Sequence, residues 1–205
     1  MSEGIAHSEL ILGGQRSGKS RRAEMLARQW LDADPAHQAV LIATAQPWDA
    51  EMQQRIARHQ ADRAARVPGM RTVEEPVNLA EALAQQAQPQ TLVVVDCLTL
   101  WLTNLRMPPT ANEAAVGHGD VQADHDAQAE ERHIANLLAA IAQAKGPVVL
   151  VGNEIGLGVI PMGAQVRSFV DALGRLNQEV ARECKRVTLM AAGLPLTLKD
   201  TPCVP

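Results

Sequence analysis

Aromatic side chains are scarce in this chain of 205 residues, which has one phenylalanine, three tryptophans and no tyrosine. Proteins that hold single-stranded nucleic acid use aromatic rings as stacking platforms for successive bases. The net charge of −4 and the pI near 5.9 also provide no overall positive field for nucleic acid or an anionic membrane. We therefore expect no nucleic-acid partner, and any affinity for phosphate must be local.

Cysteines and long apolar runs are also few. The three cysteines lie far apart and form no C-x-x-C pair, which argues against a disulfide framework and a zinc site. The N-terminus lacks the basic start and apolar core of a secretion signal, and no apolar run approaches the ~18 residues of a membrane span. We expect a cytoplasmic protein with no membrane span.

A phosphate-binding loop is the most informative motif that is present. The octapeptide Gly13-Gly14-Gln15-Arg16-Ser17-Gly18-Lys19-Ser20 fits the pattern G-x-x-x-x-G-K-[ST]. In such a loop the backbone N–H groups surround an anion, the lysine reaches the outer phosphates and the last hydroxyl binds Mg²⁺. An apolar run precedes the loop and a helical pattern follows it, as the motif requires. The context favours nucleoside triphosphate binding over a simple glycine-rich turn.

Short strands alternate with helices along the chain. Apolar runs predict buried parallel strands at 9–12, 39–43, 92–95, 148–151 and 187–190. Helical patterns lie between them at 21–30, 49–66, 78–88, 122–145 and 165–184, with Asp49 and Asn78 as N-caps. This order predicts one α/β domain over residues 1–205, with a mostly parallel sheet and helices on both faces. A polar insert at about 106–128 interrupts the alternation, and we expect it to be mobile.

Several polar residues follow the predicted strands, at the sheet edge where ligands of such folds collect. Asp96 ends one strand and is the expected acidic partner of Ser20 in holding Mg²⁺, although a turn cap is the alternative. Thr44 ends another strand and is expected near the base or ribose, with Ala43 and Ala45 beside it.

Two further segments have two interpretations each, and a third segment has one. Glu74 and Glu75 either bind the substrate or a metal ion, or only stabilise the dipole of the helix that follows. The glycine-rich turn at 152–161 contacts a ligand or only reverses the chain. Arg167, Asp171 and Arg175 are four residues apart on the last helix, which surface ion pairs explain.

A stripe of charged residues marks the helix at 49–66. Arg55, His59 and Arg63 are spaced four residues apart and share a face, with Asp62 beside them. Two guanidinium groups beside an imidazole favour phosphate binding and attack of the neutral ring on phosphorus. A solvated basic face has the same periodicity, so the spacing alone does not choose between the two interpretations.

Over nearly its whole length the chain resembles the bifunctional adenosylcobinamide kinase and adenosylcobinamide-phosphate guanylyltransferase of cobalamin assembly. The segments that carry the resemblance are the phosphate loop with Arg21, Ile42-Ala43-Thr44-Ala45, Asp49–Met52 with Arg55–His59, Thr72-Val73-Glu74-Glu75-Pro76, Asp96–Asn104, Asn153–Gly158, and Arg167 through Asn177-Gln178. The combination is specific, although the phosphate loop alone is widespread.

The resemblance implies a RecA-like P-loop NTPase fold, a homotrimer and two reactions. A γ-phosphate of ATP or GTP moves to the hydroxyl of the aminopropanol arm of adenosylcobinamide, and GMP from GTP then moves to the new phosphate through a guanylyl-histidine. The histidine maps to His59, with Lys19 as the second catalytic residue. The nucleotide contacts then comprise the phosphate loop, Ala43, Thr44, Ala45, Asp62, Arg63, Glu74, Glu75 and Asp96, with Ser20 and Asp96 holding Mg²⁺.

Two other functions are compatible with the phosphate loop. A small-molecule or nucleotide kinase would use the loop alone and would not need His59. A RecA-type regulatory or strand-binding module would use nucleotide as a switch, but the chain lacks the basic, aromatic surface of such proteins.

Overall fold

The computed structural model describes residues 4–107 and 121–201. Within these residues, strands and helices form one seven-stranded sheet with helices packed against it. The strands are β1 (Ser8–Gly13), β2 (Gln38–Ala43), β3 (Arg71–Glu74), β4 (Thr91–Asp96), β5 (Val148–Val151), β6 (Arg186–Ala191) and β7 (Leu194–Asp200). The helices are α1 (Lys19–Ala33), α2 (Ala50–Arg66), α3 (Leu79–Gln86), α4 (Leu98–Arg106), α5 (Val121–Ala142) and α6 (Ala164–Glu183).

The sheet has the strand order β3-β2-β4-β5-β1-β6-β7. All neighbouring strands run parallel except β7, which pairs antiparallel with β6. The predicted mostly parallel α/β sheet is thus confirmed, and each of the five predicted strands is present within one residue of its predicted ends. Because β1 lies beside β5, the phosphate loop after β1 adjoins the turn after β5.

Three elements are absent from the sequence prediction. Strand β3 is mostly polar and lies at one edge of the sheet, while β7 lies at the other edge and contains Pro195, which edge strands tolerate. Helix α4 is a mostly apolar run directly after β4, and the sequence prediction has no helix there.

The two faces of the sheet have separate cores. Alternate residues of a strand point to opposite faces, so that Leu10 joins the larger core and Ile11 the smaller one. The larger core contains α3, α4, α5 and α6, with Trp101 of α4 fully buried in it. The smaller core contains α1 through Ala23, Leu26 and Ala27. Helices therefore cover both faces, as predicted.

Helix α2 has no buried residue, although Asp49 caps it as predicted by accepting a hydrogen bond from the Met52 amide. Its end is tied to α1 by Arg66, whose guanidinium lies 2.6 Å from a Glu24 carboxylate oxygen. Residues 108–120 of the predicted insert lie outside the described residues, so its predicted mobility is not tested. No helix in 4–107 or 121–201 has the length and apolarity to cross a membrane.

Candidate active site

The phosphate loop joins β1 to α1 and needs both glycines of its pattern. Gly13 has φ +149°, and a Cβ there would lie 2.5 Å from the Met190 carbonyl oxygen. Gly18 has φ +102° at the start of α1. L-residues with a side chain rarely adopt such angles. The loop backbone is therefore specified by its glycines, and the N-terminus of α1 directs its amides toward the loop, where an anion is stabilised.

Lys19 lies within this loop, 8% exposed, and its ammonium group donates a hydrogen bond to the Gly14 carbonyl at 2.6 Å. Burial lowers the pKa of Lys19 from its ordinary value. Cys97 and Asp96 act in the opposite direction, and the charge of Arg55 on α2 lowers the pKa further. Asp96 and Arg55 are far from Lys19 in sequence, and the fold brings their charges to bear on the lysine.

The side chain of Thr44 holds the carboxyl ends of β2 and β4 together. Its hydroxyl donates to the Cys97 carbonyl and accepts from the Cys97 amide, both at 2.8 Å, and the side chain is fully buried. Asn104 of α4 donates from its amide to the carbonyls of Thr44 and Pro76 at 2.8 and 3.0 Å. We call this group the Thr44 latch. It holds Asp96 at the sheet edge. The hydroxyl, carbonyl and amide of Thr44 all have protein partners, since the amide donates to the Asp96 carbonyl at 3.2 Å.

The sequence prediction did not include Asn104 as a site residue. A polar residue within an otherwise apolar stretch is the signal that could have revealed it, because a buried amide needs hydrogen-bond partners. Cys97, the residue after Asp96, is buried, and burial raises the pKa of its thiol to about 12. A thiol in this state is a poor nucleophile.

Replacing Thr44 with valine is expected to lower the free energy of unfolding by about 2 kcal/mol, because the buried amide and carbonyl of Cys97 lose their partner. Thr44→Ser keeps the hydroxyl and should cost less. Urea denaturation of both variants measures the difference. Equal stability of the two would show that the hydroxyl contributes nothing to the fold.

The turn after β5 is attached directly to the phosphate loop. The Glu154 amide donates to the Gly13 carbonyl at 3.1 Å. The Asn153 amide donates to the Thr99 hydroxyl at 2.9 Å, and the Asn177 side chain donates to the Asn153 carbonyl at 3.1 Å. The glycine-rich turn thus lies at the same sheet edge as Lys19 and Asp96.

Arg167 does not form the predicted ion pair with Asp171. Its guanidinium instead donates to the carbonyls of Pro161 and Met162, in the same turn segment. The segment between β5 and α6 is therefore held by three hydrogen bonds at its start and by two at its end.

Helix α2 places its charged stripe beside the edge strand β3. Arg63 donates to the Thr72 hydroxyl at 3.3 Å, and His59 is exposed one turn before it. An open cleft of about 270 Å³ lies between the two elements and is lined by Gln60, Arg63, Ala64, Met70, Thr72 and Glu74. Asp62 is directed elsewhere, because it pairs with Arg66 at 3.2 Å.

Glu75 has a structural partner as well. Its carboxylate accepts hydrogen bonds from the amides of Val77 and Asn78, which precede the first residue of α3, so it closes the turn that leads into that helix. Asn78 occupies the N-cap position of α3, as predicted, although its side chain makes no cap hydrogen bond. Glu74 is exposed at the cleft.

The predicted site residues thus form two groups. One surrounds Lys19 and contains the phosphate loop, Asp96 and the strand end at Ala43-Thr44-Ala45, since Ala43 pairs with Asp96 in the sheet. The other surrounds the α2–β3 cleft and contains Arg63 and Glu74. Arg55 connects the two groups, because its charge reaches Lys19 while its stripe continues through His59 to Arg63.

Oxygen donors suited to Mg²⁺ are present in the first group. Ser20 supplies a hydroxyl at the first turn of α1 and Asp96 a carboxylate whose charge reaches Lys19. Hydroxyl, carboxylate and phosphate oxygens are the ligands that Mg²⁺ prefers. The residues therefore fit a magnesium ion bound together with nucleotide phosphates.

Comparison with known proteins identifies related chains over nearly the full length. The bifunctional adenosylcobalamin biosynthesis protein CobP of Pseudomonas aeruginosa is 43% identical over 194 residues, which cover 95% of this chain and 98% of that protein. The bifunctional adenosylcobalamin biosynthesis protein CobU of Escherichia coli is 36% identical over 190 residues, covering 93% and 98%.

A solved structure shares the fold at low sequence identity. The flagellar accessory protein FlaH from Methanocaldococcus jannaschii superimposes with a TM-score of 0.51 and 11% identity, covering 98% of this chain and 82% of that one. This likeness concerns the fold alone. The family model described as cobinamide kinase / cobinamide phosphate guanyltransferase matches residues 9–198, which contain the phosphate loop, the stripe and the turn after β5. The chain therefore belongs to the cobinamide kinase / cobinamide phosphate guanyltransferase family.

Proposed function

We propose that this protein phosphorylates the aminopropanol hydroxyl of adenosylcobinamide and then transfers GMP from GTP to that phosphate. The family match over residues 9–198 supports the two activities. The observation that carries the residue assignment is the sheet register: Glu74, which lines the α2–β3 cleft with Arg63, pairs with Ala43, and Ala43 pairs with Asp96. This register supports a role for His59, one turn before Arg63, at the same sheet edge as the triphosphate site.

In the kinase reaction, the loop amides and Lys19 bind the β- and γ-phosphates of ATP or GTP. The alcohol oxygen of the acceptor attacks the γ-phosphorus, the bond to the nucleoside diphosphate breaks, and the hydroxyl proton is released. A magnesium ion held by Ser20 and Asp96 would neutralise charge on the phosphates. The low exposure of Lys19 strengthens its attraction for developing negative charge, because less water screens it.

In the guanylyl transfer, a neutral ring nitrogen of His59 attacks the α-phosphorus of GTP and pyrophosphate leaves. The resulting phosphorus–nitrogen bond breaks when an oxygen of the corrinoid phosphate attacks the same phosphorus, which restores the histidine. Arg55 and Arg63 lie one turn on either side of His59 and would stabilise the negative charge of both transition states. Arg63 and Glu74 at the α2–β3 cleft would contact the nucleotide from the other side.

Incubating the protein with α-labelled GTP tests this proposal. We expect one equivalent of label per chain on His59, stable in base and labile in acid, as a phosphoramidate is. Addition of adenosylcobinamide phosphate should move the label to the corrinoid. Protein that binds GTP and phosphorylates adenosylcobinamide but takes up no label would be a kinase without guanylyl transfer.

We further propose that the chain is one cytoplasmic domain that works as a homotrimer. The absence of any buried residue on α2, which is an amphipathic helix, supports association with another copy of the chain. Sedimentation equilibrium of the purified protein gives the number of subunits directly.

A further inference from the structure

A set of large apolar side chains is exposed on the segment that follows the Asn153-Glu154 turn. The side chains are those of Leu157, Val159, Ile160, Met162 and Val166, with exposures of 81%, 96%, 78%, 96% and 51%. Singly exposed apolar residues are ordinary, but five within ten residues are a concentration of the kind that marks binding surfaces. We call residues 155–166 the apolar loop.

The apolar loop is held at both ends by polar contacts. At its start, the Glu154 amide donates to Gly13 of the phosphate loop, and the Gly156 amide donates to the Glu154 carboxylate at 2.8 Å. At its end, Arg167 donates to the carbonyls of Pro161 and Met162. These contacts fix the backbone of the loop. Its apolar side chains remain in solvent, where they contribute nothing to folding and are available to a ligand.

The loop also has unused polar groups. Among the residues that the structure describes, none accepts a hydrogen bond from the backbone amides of Leu157, Val159 and Ile160. A ligand for this surface is therefore expected to combine apolar faces with hydrogen-bonding groups at its edge.

We propose that the apolar loop docks the corrinoid ring of the acceptor substrate. A corrinoid has an apolar macrocycle whose edge carries methyl groups and amide side chains, which match the exposed side chains and the free backbone amides of the loop. The inference rests on the proposed function, because only a corrinoid acceptor brings such a ring to this site.

The position of the loop supports this occupant over a second copy of the chain. In phosphoryl transfer the acceptor hydroxyl must approach the γ-phosphate in line, and the arm that carries this hydroxyl is short. The ring must therefore lie against residues that adjoin the phosphate loop. The apolar loop begins one residue after the Glu154–Gly13 hydrogen bond, whereas a surface used only for subunit assembly need not lie there.

The test uses a double variant, V159S/I160S, in the full-length protein. Both side chains are almost fully exposed, so that folding should be unaffected. The matched control is L194S/L196S, which changes two exposed leucines on β7. Binding of adenosylcobinamide is measured by equilibrium dialysis, self-labelling by α-labelled GTP in the absence of corrinoid, and molecular mass by sedimentation.

We expect V159S/I160S to raise the Kd for adenosylcobinamide about tenfold while its rate of self-labelling and its mass remain at the wild-type values. The control should keep the wild-type Kd. An unchanged Kd in V159S/I160S overturns the proposal. The proposal is also overturned if V159S/I160S has a lower mass than the wild type and regains its affinity for adenosylcobinamide at protein concentrations high enough to restore assembly. The apolar loop would then be a subunit interface. Wild-type protein that binds no adenosylcobinamide instead contradicts the proposed function itself.

Discussion

Replacing His59 with alanine is expected to abolish guanylyl transfer and leave the kinase reaction intact. The imidazole supplies the nucleophile, and removal of a nucleophile lowers turnover by about 10⁴-fold or more. The kinase step depends on Lys19 and the loop amides, none of which His59 contacts. Because His59 is exposed, its truncation should not destabilise the fold. Phosphorylation of adenosylcobinamide and formation of the GDP adduct are measured separately by chromatography.

Arg58→Ala is the matched control for this variant, since Arg58 is the exposed neighbour of His59 on α2. It should keep both reactions and the self-labelling by α-labelled GTP. If His59→Ala retains guanylyl transfer at the wild-type rate, another residue carries the nucleotidyl group. If it loses both reactions while still folded, His59 has a role in nucleotide binding and the assignment of separate groups for the two steps is wrong.

Replacing Lys19 with alanine is expected to lower turnover of the kinase reaction by about 10³-fold. The substitution removes a cation that contacts the transferred phosphate in a site with little exposure to water. Self-labelling of His59 should fall as well if the same phosphate loop binds GTP for the second reaction. Single-turnover measurements with each labelled phosphate of GTP separate the two effects.

Arg21→Ala is the control for Lys19→Ala, since it removes an exposed cation two residues further along α1. It should change neither reaction, and thermal unfolding should show that both variants fold. A Lys19→Ala protein that phosphorylates adenosylcobinamide at the wild-type rate would contradict the placement of the triphosphate in this loop. Loss of the kinase reaction with full self-labelling would indicate a second GTP site.

The sequence contains the local features of the site because each of them depends on residues close together in the chain. The phosphate loop is one octapeptide, and its glycines at 13 and 18 have the positive φ values that the motif requires. The buried strands are short apolar runs bounded by turns, and all five were predicted. The spacing of Arg55, His59 and Arg63 is a property of one helix, so their common face also follows from the sequence.

Other features depend on contacts between distant segments. Thr44 was expected at the nucleotide, yet its side chain is buried against Cys97, 53 residues later. Arg167 was expected to pair along its own helix and instead binds the turn before it. A side chain with several possible partners takes the one that the fold brings within reach, and periodicity cannot identify that partner.

The sequence by itself determined a mostly parallel α/β domain, a phosphate loop and a charged helix with a histidine at its centre, because period, turn chemistry and a short motif encode them locally. Only the tertiary structure decided that the turn after β5 is bonded to Gly13 and that the apolar loop is exposed beside it. The physical reason is the strand order. Placing β5 beside β1 brings together at one sheet edge segments that are more than a hundred residues apart.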